Sequence, residues 1–481
     1  MHILQATSEF FPYSKTGGLA DMVAGLSNAI SGQGHTITVV TPLYRGIRDV
    51  YTNLKPALGK LSIPMGKRVV PGRVFRTKPH PNLTVLFVDH PGYFNRLGIY
   101  MERGSGYADN AERFIFFSKA TIEIARRLQI RPDIIHCHDW QTGLIPLLLQ
   151  HAAGRGTGIT LPGTCLSIHN LAYQGVCDAR NFSLTNLPRR YFTPEGVEFY
   201  GQLNCLKAGL VYADQLITVS PQYAAEITTS SFGEGLDGVI RHRTASITGI
   251  LNGVDYGQWK STDNRHLKFD YSAENLTGKL RNKSQLLHEI GLPRKRRMPP
   301  LYSYIGRLAD QKGVDLILDT LPFLLAKSKF QFVLLGSGTP YHENKFNQLQ
   351  DAFPESVFCH LEYNESMAHR IEAAADFLVM PSKFEPCGLN QMYSLRYGTI
   401  PIVNAVGGLK DTVIDLAKHP RSGTGFVLTE FSPRGLMEAF RFSANLHTDL
   451  PRLNRVRKRA MKINFSWKQS SSAYLDIYRT C

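Results

Sequence analysis

Residues 377–391 read FLVMPSKFEPCGLNQ, and the kind of fold to look for follows from this stretch. Phe377–Pro381 is a short apolar run of the sort that forms a strand buried on both faces. Pro381 and Pro386 bound a loop that carries Glu385, and Gly388–Tyr397 has the pattern of a helix. A helix that opens just after a strand leaves its first N–H groups and its positive dipole end facing whatever lies beyond the strand. Phosphate or sugar oxygens fit there. The plainer alternative is that Glu385 only caps the helix.

Outward from this stretch the strand–loop–helix unit repeats. Leu301–Gly306, Phe330–Gly336, Val357–Leu361 and Ile400–Asn404 read as further strands, with helices at Gly313–Leu325 and Ser366–Ala375. The first half has the same alternation. Its strands are His2–Ala6, His35–Thr41, Leu83–Asp89, Asp133–His138, Cys165–His169 and Gln215–Ser220, and its helices are Leu19–Ile30, Ala111–Leu128 and Gln141–His151. Alternation of this kind predicts an α/β protein with a parallel, doubly wound sheet in each half. A polar stretch, 256–300, separates the halves, and the turn signal Asn252-Gly253 puts the junction near residues 251–255.

In open α/β sheets ligands bind beyond the carboxyl ends of the strands, so the residues that follow each strand are the candidates. After the first strand comes Lys15-Thr16-Gly17-Gly18-Leu19-Ala20-Asp21, where two glycines allow close approach of backbone N–H groups to an anion. It is neither G-x-G-x-x-G nor a phosphate loop closed by G-K-[ST]. His136-Cys137-His138-Asp139-Trp140 ends another strand; a metal site there lacks suitably spaced third and fourth ligands. His169-Asn170-Leu171-Ala172-Tyr173-Gln174 crowds hydrogen-bonding side chains into one loop, suited to a hydroxyl-rich ligand. In the second half, Gly306-Arg307 and Gln311-Lys312-Gly313 offer two cations to a diphosphate, and Gly336-Ser337-Gly338 and Gly407-Gly408-Leu409 are further close-approach loops. Basic or glycine-rich loops that end strands in both halves predict a ligand with a pyrophosphate and a polyhydroxylated part.

The totals set the limits. A chain of 481 residues with 43% hydrophobic and 20% charged content has material for two cores. A net charge of +16 favours anionic partners without choosing among them. The densest basic runs, Arg294–Arg297 and Arg455–Arg459, stand near no nucleic-acid motif and read as a solvated loop and a helix face. Seven scattered cysteines without a Cys-x-x-Cys argue for a reducing compartment. Apolar runs such as Leu144–Leu149 are far too short for a bilayer, and the N-terminus has no basic leader with a long apolar stretch.

Taken together and in this order, these motifs resemble the bacterial glycogen synthase and plant starch synthase family over nearly the whole chain. The resemblance rests on Lys15–Leu19, His138-Asp139-Trp140, His169-Asn170, Asn252-Gly253-Val254-Asp255, Gly306-Arg307-Leu308, Gln311-Lys312-Gly313 and Phe384–Leu389. It implies the GT-B fold, two Rossmann-like domains facing a central cleft: residues 1–250 with a returning C-terminal helix 460–481, and residues 251–459. It implies retaining transfer of glucose from ADP-glucose to the non-reducing end of an α-1,4-glucan in the cytoplasm, by front-face attack assisted by the leaving phosphate. ADP-glucose is then a co-substrate, and no cofactor or metal is expected. The implied partners are ADP-glucose, ADP and the glucan, with neither nucleic acid nor membrane; the oligomeric state stays open.

By the same resemblance Arg307 and Lys312 grip the diphosphate and Glu385 holds the glucose hydroxyls. Lys15 with Gly17 and Gly18 closes over phosphates and sugar, and Asp21 belongs to that loop. Cys387, Gly388, Leu389 and Asn390 bind sugar and phosphate. His169 touches the glucose beside Asn170, and Asp139 lies near the reaction centre. Tyr363 matches a residue that stacks on adenine, and Tyr93 one on the acceptor side. The chain departs from the family pattern at Ala20 and Met22, at Asn390 and at Asn404, none of them a group assigned to chemistry. The rivals are a UDP-sugar-dependent retaining enzyme, a non-catalytic glucan-binding protein and, more remotely, a nucleotide-dependent dehydrogenase.

Overall fold

The computed structural model describes residues 1–102, 104–154 and 161–481. They form two units: Met1–Gly253 with Trp467–Cys481, and Val254–Ser466. Ala460 ends up in the second unit, within a helix spanning Leu450–Met461, and the final helix starts only at Trp467. Between the two helices residues 465 and 466 run extended beside Val254, whose N–H donates to the Phe465 carbonyl at 2.6 Å.

In the first unit the main sheet contains β1 (His2–Ala6), β2 (Thr36–Pro42), β3 (Lys55–Met65), β4 (Arg68–His80), β5 (Leu83–Asp89), β6 (Ile134–His138), β7 (Gly163–Ile168), β8 (Gln215–Thr218) and β9 (Ile247–Gly249). Across the sheet they run β9-β8-β7-β6-β1-β2-β5-β4-β3. From β9 to β5 every pair is parallel; β4 and β3 add an antiparallel hairpin at one edge that the sequence reading did not expect. The central strands have no solvent-facing side: all of Ile134–His138 is buried, as helices on both sides of a parallel sheet require.

The second unit holds β10 (Leu301–Ile305), β11 (Gln331–Leu335), β12 (Val357–His360), β13 (Phe377–Met380), β14 (Ile400–Val403) and β15 (Phe426–Val427), all parallel, in the order β12-β11-β10-β13-β14-β15. In each sheet the chain winds outward from its first strand and then returns on the other side. The return sets β6 beside β1 and β13 beside β10. Loops that leave such a strand pair diverge, and ligands lodge in the crevice between them.

The opposite, amino ends of the second sheet serve stability. Asp376, directly before β13, accepts the Leu301 N–H at 2.8 Å and Lys283 Nζ at 2.5 Å, pairs with Arg457, and has His447 Nε2 at 3.4 Å. Burial alone would raise its carboxyl pKa, but Lys283, His447 and Arg457 outweigh that and hold it well below the carboxylate range. One carboxylate thus ties two strands to three helices. Breaking such a buried cluster by removing one partner costs about 3–5 kcal/mol.

In the first unit the final helix, Trp467–Tyr478, is seated by small residues. A Cβ on Gly25 would lie 2.0 Å from Trp467 Nε1, and one on Gly253 2.5 Å from the same ring. Ser471 and Ser470 add hydrogen bonds to Gln33 at 2.8 Å and to the Leu251 carbonyl at 2.7 Å.

Candidate active site

Both switch points carry the chemistry-bearing residues. In the second unit β10 leads into Gly306-Arg307 and Lys312, and β13 leads into Ser382 and Glu385. The two loops meet: Lys312 Nζ lies 2.6 Å from Glu385 Oε2, which also accepts the Ser382 hydroxyl at 3.0 Å. The Lys383 N–H donates to the Gln311 carbonyl at 2.9 Å, and the Gln311 amide to the Phe384 carbonyl at 3.2 Å. Glu385 is buried, with 6% exposure, while Arg307 stays exposed. A buried carboxylate paired with one ammonium, together with an exposed guanidinium on the same loop, can bind hydroxyls and a doubly charged phosphate at once.

Glycines make this convergence possible. Gly313, at φ +69°, would put a Cβ 2.0 Å from the Pro381 carbonyl oxygen. A Cβ on Gly407 would meet the Glu385 carbonyl oxygen at 2.1 Å, and one on Gly408 the Cys387 carbonyl oxygen at 2.1 Å. The Gly336–Gly338 loop packs in the same way, since a Cβ on Gly336 would lie 1.8 Å from the Gly306 carbonyl oxygen. These glycines bring backbone against backbone.

The helix expected from Gly388 opens at Asn390 instead, because Gly388 takes the left-handed conformation, φ +72°, and turns the chain first. Leu389 precedes the helix without a capping side chain. The Asn390 amide points inward to the Ile305 carbonyl at 2.6 Å, so this side chain joins the helix to β10. Asn404 likewise donates to the Ser382 carbonyl at 3.0 Å. Tyr363 is 69% exposed, its ring at the surface.

In the first unit β6 ends at His138 and is followed by Asp139, which is buried in the left-handed region at φ +54°, rare for a residue other than glycine. Asp139 Oδ1 accepts the His169 N–H at 2.7 Å and thereby joins the loops after β6 and β7. Burial pushes its carboxyl up to about 7, the Glu9 charge adds to this, and the N–H groups of His169 and Asn170 oppose it. His136 and His138, weighed above as metal ligands, use both ring nitrogens on Tyr478, Ser167, Gln5 and His169. Asn170 Oδ1 accepts the Ala172 N–H at 3.1 Å, a local turn.

The loop after β1 differs from expectation. Lys15 Nζ pairs with Asp21 at 2.8 Å. The N–H groups of Thr16 and Gly17, assigned above to an anion, turn inward to the carboxylate of Glu9, which also accepts the Thr16 hydroxyl at 2.6 Å and the Tyr100 hydroxyl at 2.7 Å. Glu9 is 2% exposed and was missed in the sequence. Its signal was an acid three residues past the end of a buried strand and directly before Phe10-Phe11. Tyr93 also departs: it is buried, its ring is stacked on His90 at 4.1 Å and set against Phe116, and its hydroxyl donates to Glu112. One face of the ring is thus occupied by the His90 imidazole.

A cavity of about 620 Å³ in the first unit is lined by Trp140, Tyr107, Tyr173, Asn110, Asp178 and Asn181. Gly175, at φ +63°, gives Trp140 its seat, since a Cβ there would lie 2.2 Å from the indole. Aromatic faces alternating with amides and a carboxylate suit a polyhydroxylated ligand. Among the described residues, His266, Glu365 and His369 have ligand atoms within 4.8 Å of one another. The two imidazoles are stacked at 4.7 Å and 18°, however, so their lone pairs lie in nearly parallel planes and do not meet at one ion.

Residues 2–242 match the model of the starch synthase catalytic domain, and residues 292–462 that of glycosyl transferases group 1. A glycogen synthase of Anaeromyxobacter sp. (strain Fw109-5) is 44% identical over 481 residues, covering 100% of this chain and 99% of the relative. The chain belongs to the glycogen and starch synthase family. Among solved structures, the catalytic domain of starch synthase IV from Arabidopsis thaliana, bound to ADP and acarbose, matches with a TM-score of 0.91 and 31% identity, covering 100% of this chain and 99% of the other. The sucrose-phosphate synthase of Thermosynechococcus elongatus matches at TM-score 0.63 and 16% identity over 100% and 98% of the two chains, a likeness of fold alone. The chain is therefore a hexosyltransferase with the GT-B fold, two Rossmann-like doubly wound units. Among the described residues no helix is long and apolar enough to cross a membrane.

Proposed function

We propose that the chain transfers glucose from ADP-glucose to the non-reducing end of an α-1,4-glucan, with retention, and releases ADP. The observation that carries this reading is the convergence of Lys312 and Glu385 at the switch point of the second sheet, in a chain whose full-length relative is a glycogen synthase. Arg307 and Lys312 hold the diphosphate and take up the charge that develops on departing ADP, the kind of stabilisation that is usually the largest catalytic term. Glu385, anchored by Lys312 and Ser382, accepts hydrogen bonds from the glucose hydroxyls, and backbone groups of Cys387, Gly388 and Leu389 complete that site. Tyr363 stacks on the adenine.

In the first unit Lys15, with its Asp21 partner, acts on the donor phosphates, while His169 and Asp139 contact the transferred glucose. The aromatic cavity at Trp140 takes the glucan in place of Tyr93. No step requires a metal or a resident cofactor. The scattered thiols fit a reducing cytoplasm.

The test is transfer of labelled glucose to glycogen from ADP-glucose and, in parallel, from UDP-glucose, by the native chain and by Glu385→Ala. Transfer from ADP-glucose that is lost in the variant supports the reading. Transfer from UDP-glucose alone overturns the donor assignment. Binding of glycogen without transfer from either donor overturns catalysis.

A further inference from the structure

A chain of buried hydrogen bonds runs through the first unit from the final helix to His169. His169 Nε2 lies 3.0 Å from His138 Nδ1, and His138 Nε2 lies 2.6 Å from Gln5 Oε1. The Gln5 amide nitrogen donates to the Tyr478 hydroxyl at 3.5 Å, Tyr478 meets His136 Nδ1 at 2.8 Å, and His136 Nε2 meets Ser167 Oγ at 2.7 Å. Gln5, His136, His138 and Ser167 are wholly buried and Tyr478 nearly so; His169, partly exposed, is where the chain reaches the strand ends.

Burial holds His136 and His169 down at about 3, and it holds His138 well below the usual imidazole range, helped by its two histidine neighbours. All three are therefore neutral at pH 7. A neutral imidazole has one donor and one acceptor nitrogen, so histidines in series transmit a direction. The hydroxyls of Tyr478 and Ser167 can serve either direction. Gln5 cannot, because one end of its amide only donates and the other only accepts. The 2.6 Å separation from His138 suits an N–H and an oxygen and is too close for two nitrogens. With Gln5 Oε1 accepting, His138 carries its proton on Nε2 and accepts on Nδ1. His169 must then carry its proton on Nε2, which leaves His169 Nδ1 as an acceptor.

We propose that Gln5, held by Tyr478 of the final helix, is a positioning residue that fixes His169 as the Nε2-protonated tautomer, so that its Nδ1 accepts a hydrogen bond from a hydroxyl of the transferred sugar. The sugar contact rests on the reading given above for His169; the tautomer does not. Nothing in the family motifs points to Gln5 or Tyr478, which lie outside them. The two residues are joined only by the docking of the final helix.

The experiment labels the histidines of the full chain with ¹⁵N and records long-range ¹H–¹⁵N spectra, which distinguish protonated from bare ring nitrogens. The His169 signals are identified by their loss in His169→Asn. In the native chain His169 is expected as the Nε2–H form. Gln5→Met removes the acceptor. A buried N–H without a partner is costlier than a bare ring nitrogen, so His138 turns its proton toward His169, and His169 converts to the Nδ1–H form. Gln5→Glu still accepts and keeps the native form. If Gln5→Met does not fold, Tyr478→Phe, which frees the amide to reverse and also takes the hydroxyl partner from His136 Nδ1, is expected to populate both forms. In whichever variant loses the native form, the donor KM should rise about tenfold, the loss of roughly one hydrogen bond, with kcat changed much less. An Nδ1–H form in the native chain, or the same tautomer with and without the Gln5 amide, overturns the proposal. A tautomer that switches while the donor KM stays put overturns the sugar contact. Absence of transfer by the native chain overturns the transferase reading instead, and the spectra still decide the role of Gln5.

Discussion

Gly17-Gly18-Leu19 in the first unit and Gly407-Gly408-Leu409 in the second each lead into a helix, yet the two triplets sit in opposite surroundings. Gly17 is exposed, and a Cβ added there would meet nothing within 4 Å. Gly407 and Gly408 are buried against the carbonyls of Glu385 and Cys387. The first triplet belongs to an exposed turn that carries Lys15 and is tied inward to Glu9; the second is a wedge that forces the Glu385 loop into place. The contrast extends to the whole strand-end region. In the second unit charged groups are held by backbone packed on backbone. In the first, neutral histidines and an Asp139 whose carboxyl pKa is raised by burial are held by buried hydrogen bonds. Similar Gly-Gly-Leu triplets ahead of a helix thus mark an exposed turn tied to a buried carboxylate in one sheet and a structural wedge in the other.

The largest expected effect falls on the charged side. Glu385→Ala should lower the initial rate of glucose transfer on the order of a thousandfold, and Lys312→Ala on the order of a hundredfold, since each removes a group poised for the charge and hydroxyls of the donor. Lys15→Ala, on the exposed turn, should cost about tenfold less than Glu385→Ala and act mainly through the donor KM. Equal losses for Lys15→Ala and Glu385→Ala would break the contrast between wedge-held and exposed groups.

Next comes the wedge itself. Gly408→Ala places a methyl group 2.1 Å from the Cys387 carbonyl oxygen, where only backbone can yield. The expected cost is about 2–3 kcal/mol of stability, read as a drop of several degrees in Tm, with transfer reduced as the Glu385 loop shifts. Gly17→Ala has open space around it and should cost less than about 1 kcal/mol. If the two melts coincide, the difference in packing has no energetic meaning.

Much of the fold could be read in the sequence because parallel strands buried on both faces are continuous apolar runs, and the strand ends carried the charged and glycine-rich loops that drew attention to Arg307, Lys312 and Glu385. The hairpin of β3 and β4 could not. Pro56, Pro64, Pro71 and Pro79, with lysines and arginines between them, break the usual strand pattern. They are tolerated because β3, with Pro56 and Pro64, is the edge strand, Pro71 lies beyond the residues that pair with β5, and Pro79 falls at the register shift between Thr77 and His80. Charges and prolines that hide a strand from its sequence are also what keeps an edge from pairing with another chain. Glu9 and the inward turn of Thr16 and Gly17 were hidden for a different reason. Whether a Gly-Gly turn faces a ligand or a buried carboxylate depends on a residue seven or eight positions away. The burial of the Tyr93 ring by His90 and Phe116 is a tertiary fact, invisible in the motif.

Acid sharpens the contrast between units. Burial lowers the folded-state pKa of His136, His138 and His169 to about 3 or below the usual range, against an unfolded value of 6.5. A depressed folded pKa contributes stability above the unfolded value, and that stability is lost as pH falls from 6.5 toward the folded value. Asp139 has the opposite sign: raised to about 7, it contributes stability in acid that is lost as pH rises through 7. Three histidines outweigh one carboxyl. In the second unit His369, at about 4, is matched by Glu372, raised by burial to about 8 and stabilising in acid. The first unit should therefore open before the second as pH falls from 6.5 to about 4. Dithiodipyridine, which reacts with thiols in acid, followed by mass spectrometry, reads the order from buried Cys137 in the first unit and buried Cys387 in the second. Cys387 reacting first, or both together, would remove the difference.

The smallest effect concerns the two ion pairs. Lys312 and Glu385 side chains are 18% and 7% exposed, Lys15 and Asp21 29% and 26%. Partly solvated pairs are worth about 0–1 kcal/mol and are screened by salt. Asp21→Asn should accordingly shift Tm by no more than about 2 °C. Its effect belongs to binding. If Asp21 only partly neutralises Lys15, the variant leaves more charge for the donor phosphates, and the donor KM should fall about twofold at low salt, with the gain vanishing by about 0.5 M salt as screening shortens to a few ångströms. If Asp21 instead aims Lys15, KM rises and salt does not restore it, because the loss is one of direction. A salt titration of KM for the native chain and Asp21→Asn separates the two. A fall that salt erases would mean that the first unit's turn presents a mobile charge, in contrast to the second unit, where Lys312 is held in place by Glu385.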